Sequence, residues 1–138
     1  MSFKTISFST LPDDAKLIRT TVFEVEQGFY DEYDEIDSIA THLVMYENET
    51  PIACCRHFVG ENCHFIGRLA VMKNYRGCGL GKKMMQECEN SILACGGKKA
   101  MLHAQLRAKE FYEKCGYTPA CEPDDEQGCP HVWMQKEL

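Results

Sequence analysis

From Leu80 onward, apolar residues return every three or four positions, at Leu80, Met84, Cys88, Ile92 and Cys95, before Gly96-Gly97 ends the run. That spacing predicts a helix that packs by one stripe and is stopped by the glycine pair. Upstream, residues 63–71 follow a period of two, which puts His64, Ile66, Arg68 and Ala70 on one face of a strand and Phe65, Leu69 and Val71 on the other. Other strands are predicted at residues 3–8, 40–46, 52–59 and 100–104. Residues 47–51 supply a hairpin turn, and two last strands around Tyr117 and 132–134 flank an acidic loop at 122–127. A helix begins at Asp13 or Asp14, with Ala15, Ile18, Val22 and Val25 as its buried stripe, and a short one at 107–114 ends at Gly116. Strands joined by hairpins, followed by a strand–helix–strand crossover, imply an α/β (α+β) mixed sheet with helices on both faces.

The size changes this picture little. At 138 residues the chain is read as one domain with a real core. No stretch approaches the ~20 apolar residues of a membrane helix, and the first residues lack an apolar h-region, so the expected address is cytoplasmic with no membrane partner. Nine cysteines are many, but the odd count, the adjacent Cys54 and Cys55 and the lack of any Cys-x-x-Cys argue against disulfides and a zinc ribbon. Most are read as reduced core thiols. Cys121, Cys129 and His131 were close enough in sequence to weigh as metal ligands, and no metal is expected. A formal charge of −6 with no basic stripe disfavours nucleic acid.

Charge matters locally instead. Between the strand and the long helix runs Arg76-Gly77-Cys78-Gly79-Leu80-Gly81, followed by Lys82 and Lys83. Glycines at alternate positions let successive N–H groups converge, and a helix starting at Leu80 aims its positive dipole end at the same point, so the turn suits a phosphate. A Walker A loop fails because Gly81-Lys82 is followed by Lys83, and a dinucleotide fingerprint fails because Lys82 stands where a glycine is needed. In the first half, Arg19, Phe23 and Glu26 form a second stripe beside the buried one, as either a solvated edge or a cleft wall. The acidic segment at 28–38, with Tyr30, Asp31, Glu32, Asp34 and Asp37, reads as a loop or one helical turn, either surface or binding site. Arg56 and Arg68, if they share a face, either form an anion pocket or, as long arginines more often do, end in solvent or in a carboxylate pair.

The pattern Arg-x-x-Gly-x-Gly behind a strand and at a helix start resembles the coenzyme A pyrophosphate loop of the GNAT N-acetyltransferase superfamily. Ala108 to Tyr117, with Phe111-Tyr112 and Gly116-Tyr117, is similar to the same family's downstream segment. Residues 22–28, Asp37, His42, Ala104-Gln105 and 128–132 resemble the small bacterial ElaA-like branch, so the likeness spans nearly the whole chain. It implies a mostly antiparallel sheet of six to seven strands, splayed at a cleft for acetyl-CoA. It also implies an acetyl transfer to a primary amine of a small molecule or peptide, made directly in a ternary complex. Backbone groups of Leu69, Ala70 and Val71 then pair with the pantetheine arm. Arg76, Gly77, Cys78, Gly79, Leu80, Gly81 and Lys82 hold the pyrophosphate, and Gln105 lies across the cleft. Tyr112 approaches the sulfur as general acid. Dimerisation is common in such folds, and the sequence leaves it open.

The base is less legible. Some relatives carry a glutamate four residues before the position of Leu69, where this chain has Phe65. Glu26, Asp37, His42 and His103 remain as substitutes, directly or through water, with Glu26 ranked first and His103 beside it as a catalytic candidate, since a carboxylate in an apolar cleft can have a raised pKa. His131 either serves the cleft or pins the last strand. The acidic segment favours a cationic acceptor, whereas Arg19, Arg56 and Arg68 favour an anionic one. The missing strand glutamate motivates an alternative reading, an acetyl-CoA-binding module with weak or no catalysis.

Overall fold

Among the described residues, eight strands form one sheet in the order β1-β2-β3-β4-β5-β8-β6, with β7 also paired to β8. They are β1 (Phe3–Phe8), β2 (Thr41–Glu47), β3 (Thr50–Val59), β4 (His64–Val71), β5 (Lys99–Gln105), β6 (Thr118–Pro119), β7 (Asp124–Glu126) and β8 (Cys129–Glu137). The computed structural model describes residues 2–29 and 33–138, so Tyr30, Asp31 and Glu32 of the acidic segment lie outside the described residues. Every pairing is antiparallel except β4 with β5. The count exceeds six or seven because β6 has two residues and β7 three, and β7 forms inside the stretch read as an acidic loop.

Two helical layers cover the sheet. Helix α2 (Leu80–Ala94) lays Leu80, Met84, Met85, Cys88 and Ile92 on one face of it, against Met45, Cys55, Ile66, Leu102 and Met134. Its last expected stripe residue, Cys95, is exposed because it already belongs to the C-cap. On the other face, α1 (Asp13–Arg19) packs Ala15 and Ile18 against Val44, Cys54 and Ala70. The adjacent Cys54 and Cys55 thus serve opposite cores, as alternation along a strand requires. All nine cysteines are free, but only Cys54, Cys55 and Cys88 are buried, so most are not core thiols. Helix α3 (Lys109–Lys114) is brief and follows a 3₁₀ turn at Leu106–Ala108. Among the described residues no helix is long and apolar enough to cross a membrane.

Two departures from regular periodicity shape the site. Helix α1 continues as a π-helical segment over Thr20–Glu26, whose wider turns break the three-and-four rhythm. Val22 stays buried, but Val25, expected on the buried stripe, is 76% exposed. The second departure is in β4. Arg56 pairs with Gly67 and Cys54 with Ala70, so two steps along β3 face three along β4. The extra residue is a bulge, and Arg68 within it has φ 55°. It reverses the alternation: Ile66 belongs to the α2 core and Ala70 to the α1 core, so they do not share a face as the period of two predicts. Beyond Ile66 and Leu102, β4 and β5 make no further pairs and part.

Candidate active site

The parted strands open a cleft of about 1070 Å³, lined on one side by residues 65–71 and on the other by Leu102, His103 and Gln105. At one end stands the glycine turn. Gly77 (φ 81°) and Gly79 (φ 83°) both occupy the left-handed region, and a Cβ on either would meet nothing within 4 Å. They are glycines for backbone conformation, and the space beside them is open. Gly79 is the N-cap of α2 and no side chain caps the helix. The first intrahelical bond reaches back from the Lys83 N–H to the Gly79 carbonyl at 3.1 Å. The N–H groups of Leu80, Gly81 and Lys82 therefore stay unclaimed at the positive end of a fifteen-residue helix, a ready seat for an oxyanion. Gly81 has a different reason: a Cβ there would come 3.1 Å from the Phe111 ring, which packs α3 against the turn. Leu69, Ala70, Val71, Arg76, Gly77, Gly79, Leu80, Gly81, Lys82, Gln105 and Tyr112 all line the cleft. Cys78 does not; its thiol turns back to donate to the Tyr75 carbonyl at 3.0 Å.

Tyr112 enters the cleft from α3, with its ring edge-on to Phe111 at 5.0 Å. Among the described residues its hydroxyl makes no hydrogen bond. Burial, with smaller contributions from Cys115, Cys55 and Cys88, pushes its pKa well above the ordinary phenol value, so it carries its proton at neutral pH.

Glu26, ranked first as a base, is not a cleft residue. Its carboxylate forms a two-point ion pair with Arg76, at 3.0 and 2.9 Å, while Arg76 Nε donates to the Val71 carbonyl at 2.8 Å. The glutamate thus braces the turn from the π-helical segment, which also sends Phe23 and Gln27 into the cleft. Arg19, Asp37 and His42 are also removed from the acceptor side. Arg19, 1% exposed, holds Asp37 by both oxygens at 2.8 and 3.0 Å, and His42 Nε2 donates to the Asp37 carbonyl at 2.9 Å. Burial raises the Asp37 pKa, but Arg19 and then Arg56 outweigh it and bring it down to about 2. Burial lowers that of His42. These three residues form the foundation under the cleft. Arg56 and Arg68 do reach its wall, but Asp34 engages both: Arg56 by two oxygens at 2.7 and 3.1 Å, Arg68 at 3.4 Å. Arg56 also bonds Asp37 at 2.8 Å.

The far wall is the shared face of β5, β8 and β7. His103 stacks on Trp133 at 4.6 Å and lies 4.6 Å from the His131 ring. Its Nε2 donates to Asp124 at 2.7 Å, while His131 Nδ1 donates to the Cys129 carbonyl at 2.8 Å. Glu126 approaches both rings, 3.9 Å from His103 Nδ1 and 3.6 Å from His131 Nε2. Cys121 and Cys129, weighed with His131 as ligands, take no part in this group, whose members are His103, Glu126 and His131. Gln105 spans the cleft to Gln27 at 2.7 Å and accepts from Arg107 at 2.8 Å. Sequence reasoning missed Glu126, Asp124, Trp133 and Gln27. Trp133 had a signal, since it shares strand parity with His131.

Residues 16–138 match the model of the acetyltransferase (GNAT) domain. The Bacillus subtilis protein called uncharacterized N-acetyltransferase YjcF is 32% identical, over 90% of this chain and 91% of its own. The crystal structure of an acyl-CoA N-acyltransferase from Pseudomonas aeruginosa superposes with a TM-score of 0.88 at 25% identity, covering 98% of this chain and 99% of that one. Escherichia coli ElaA superposes at 0.85 with 26% identity, over 99% of each chain. With the splayed β4–β5 pair and the glycine turn in place, the chain belongs to the GNAT acetyltransferase family.

Proposed function

We propose that this acetyltransferase moves an acetyl group from acetyl-CoA to a primary amine of a small molecule or peptide, with both substrates bound together. One observation carries the reading: a single cleft joins the uncapped start of α2 to the free edge of β4 and to the Tyr112 hydroxyl. The turn fits a diphosphate, because its glycines leave open space and three N–H groups converge there with Arg76 and Lys82 beside them. The edge of Leu69, Ala70 and Val71 that faces away from β3 has no strand partner and suits the amide-bearing pantetheine arm, with Gln105 opposite.

Bound acetyl-CoA supplies a thioester whose C–S bond breaks as the amine nitrogen bonds to the carbonyl carbon, leaving a thiolate that needs a proton. Tyr112 holds that proton on Oη, and burial keeps it there until an anion forms nearby. The phenol is restored when the Tyr112 phenolate takes the proton that the acetylated nitrogen gives up. No cysteine is poised for a covalent detour. Cys78 faces Tyr75, and burial and then Glu89 raise the pKa of the cleft thiol Cys115, so it is not a thiolate.

The test is thiol release from acetyl-CoA with a panel of primary amines, beside calorimetry with acetyl-CoA, coenzyme A and ATP. Thiol release with primary but not tertiary amines is expected, with coenzyme A and not ATP competing for the cleft. Tight acetyl-CoA binding without turnover on any amine would reduce the protein to a binding module, and preferential ATP binding would overturn the cofactor assignment.

A further inference from the structure

The reading above leaves open where the amine sits and what takes its proton, and the far wall of the cleft bears on both. His131 Nδ1 and His103 Nε2 each point at an oxygen that can only accept, the Cys129 carbonyl and the Asp124 carboxylate, so each carries its ring proton there. In the neutral rings this leaves His131 Nε2 and His103 Nδ1 as lone pairs. Both face Glu126, which has lone pairs only, at 3.6 and 3.9 Å. One such atom from each of the three residues lies within 4.8 Å of the others, and among the described residues no N–H or O–H is bonded to either bare nitrogen. Three acceptors facing one another without a donor repel, so the neutral arrangement is completed either by a proton or by a guest that brings several donors or a positive charge. His131 is 3% exposed and fixed by its strand, so it cannot swing away.

The spacing discriminates between guests. A tetrahedral metal with ligands at 2.0–2.1 Å would need them about 3.3 Å apart, with both lone pairs in their ring planes. The Glu126 oxygens lie 3.9 Å from His103 Nδ1 and 3.6 Å from His131 Nε2, wider than that. A primary ammonium has three donors, and hydrogen bonds of about 2.9 Å tolerate acceptor separations up to about 4.7 Å. We propose that His103, His131 and Glu126 seat the ammonium group of the acceptor and that His131 Nε2 takes its proton. This rests on the acetyl-transfer reading for its catalytic half only. One proton passes from the ammonium to His131, and the amine keeps the electron pair that attacks the thioester. Asp124 then acts as a positioning residue, holding the His103 tautomer, while Arg107, tied to Gln105, is the nearby cation on the neighbouring turn. The arginines that would favour an anionic acceptor are already engaged by Asp34 and Asp37.

Side-chain nitrogen NMR of the histidines, in the full chain with coenzyme A present, tests this with methylammonium chloride. Tetramethylammonium chloride, equal in charge but without N–H donors, is the control. Methylammonium should shift His131 Nε2 and His103 Nδ1 to saturation and leave His57 and His64 unmoved. Glu126→Gln should weaken that binding roughly tenfold, with coenzyme A affinity by calorimetry within about twofold. Equal shifts with tetramethylammonium, no shifts, or zinc chloride binding these nitrogens in preference to methylammonium would overturn the proposal. Methylammonium binding as expected, with no thiol release on any amine, would support the seat and refute only the transfer reading.

Discussion

Asp37 is expected to be worth more to stability than any other exchange of a single charged group here, through what it leaves behind. It lies between Arg19 and Arg56, which are 1% and 4% exposed, and is itself 8% exposed. Breaking a buried ion pair from one side costs about 3–5 kcal/mol, because the remaining charge is stranded. Asp37→Asn keeps one accepting oxygen and leaves Asp34 on Arg56, so the lower end, about 3 kcal/mol, is expected at pH 7. The pH dependence gives an independent figure. The folded-state pKa of about 2 against 3.8 in the unfolded chain corresponds to about 2.5 kcal/mol. Since the folded value is the lower one, this stabilisation is complete above about pH 5 and drains away as the pH falls through 3.8 and past 2. Urea unfolding of both proteins at pH 7 and near pH 2 should therefore show a gap of about 3 kcal/mol closing to less than about 1. A gap below about 1 kcal/mol at neutral pH, or one that persists undiminished in acid, would mean that the arginines are satisfied without Asp37.

Three other perturbations separate backbone from side chain. Gly79→Val forces a branched residue to φ 83°, at about 1–2 kcal/mol of strain or a displaced turn; calorimetry should show weakened coenzyme A binding, and unchanged affinity would refute the assignment of the turn. Tyr112→Phe removes a hydroxyl that makes no hydrogen bond among the described residues, so the urea midpoint should hold while turnover falls roughly 10²-fold with acetyl-CoA affinity little changed; unaltered turnover would remove it from the mechanism. At the bulge, Arg68→Gly and Arg68→Ala both delete the 3.4 Å contact with Asp34, but only glycine accepts φ 55° freely, so the glycine variant should be the more stable by about 1 kcal/mol. Equal stabilities would show that position 68 relaxes.

What was legible in the sequence was what depends on near neighbours. Helix α2 follows from five positions at helical spacing, and the turn before it from three glycines whose φ requirement is local. The same logic misreads Val25, because a shift to π-helical hydrogen bonds leaves no trace in the residue pattern before it. It also misreads Arg19. An arginine beside a buried stripe is ordinarily solvated, and a carboxylate eighteen residues away makes its burial tolerable. Glu26 illustrates the converse: residue type suggested a base, while a partner fifty residues on made it a brace. His103, Glu126 and His131 come together through the β5–β8 and β7–β8 registers, and it is the hydrogen bonds on their outer nitrogens that make the inner ones acceptors.

The bulge in β4 carries the largest consequence of this kind. With strict alternation, Ala70 would follow Ile66 into the α2 core, and Leu69 and Val71 would turn toward α1. Instead Ala70 packs beneath α1, while Leu69 and Val71 pack against the α2 core. A strand that has taken in one extra residue bends and twists more, and β4 leaves β5 immediately before it, at Ile66. Regular parallel pairing through Val71 would occupy the edge groups of β4 with β5 and leave no slot between them. The free backbone edge along the cleft therefore goes with the failure of the period of two at Arg68 and Leu69. A pattern-based reading treats that failure as noise, yet it is what opens the site.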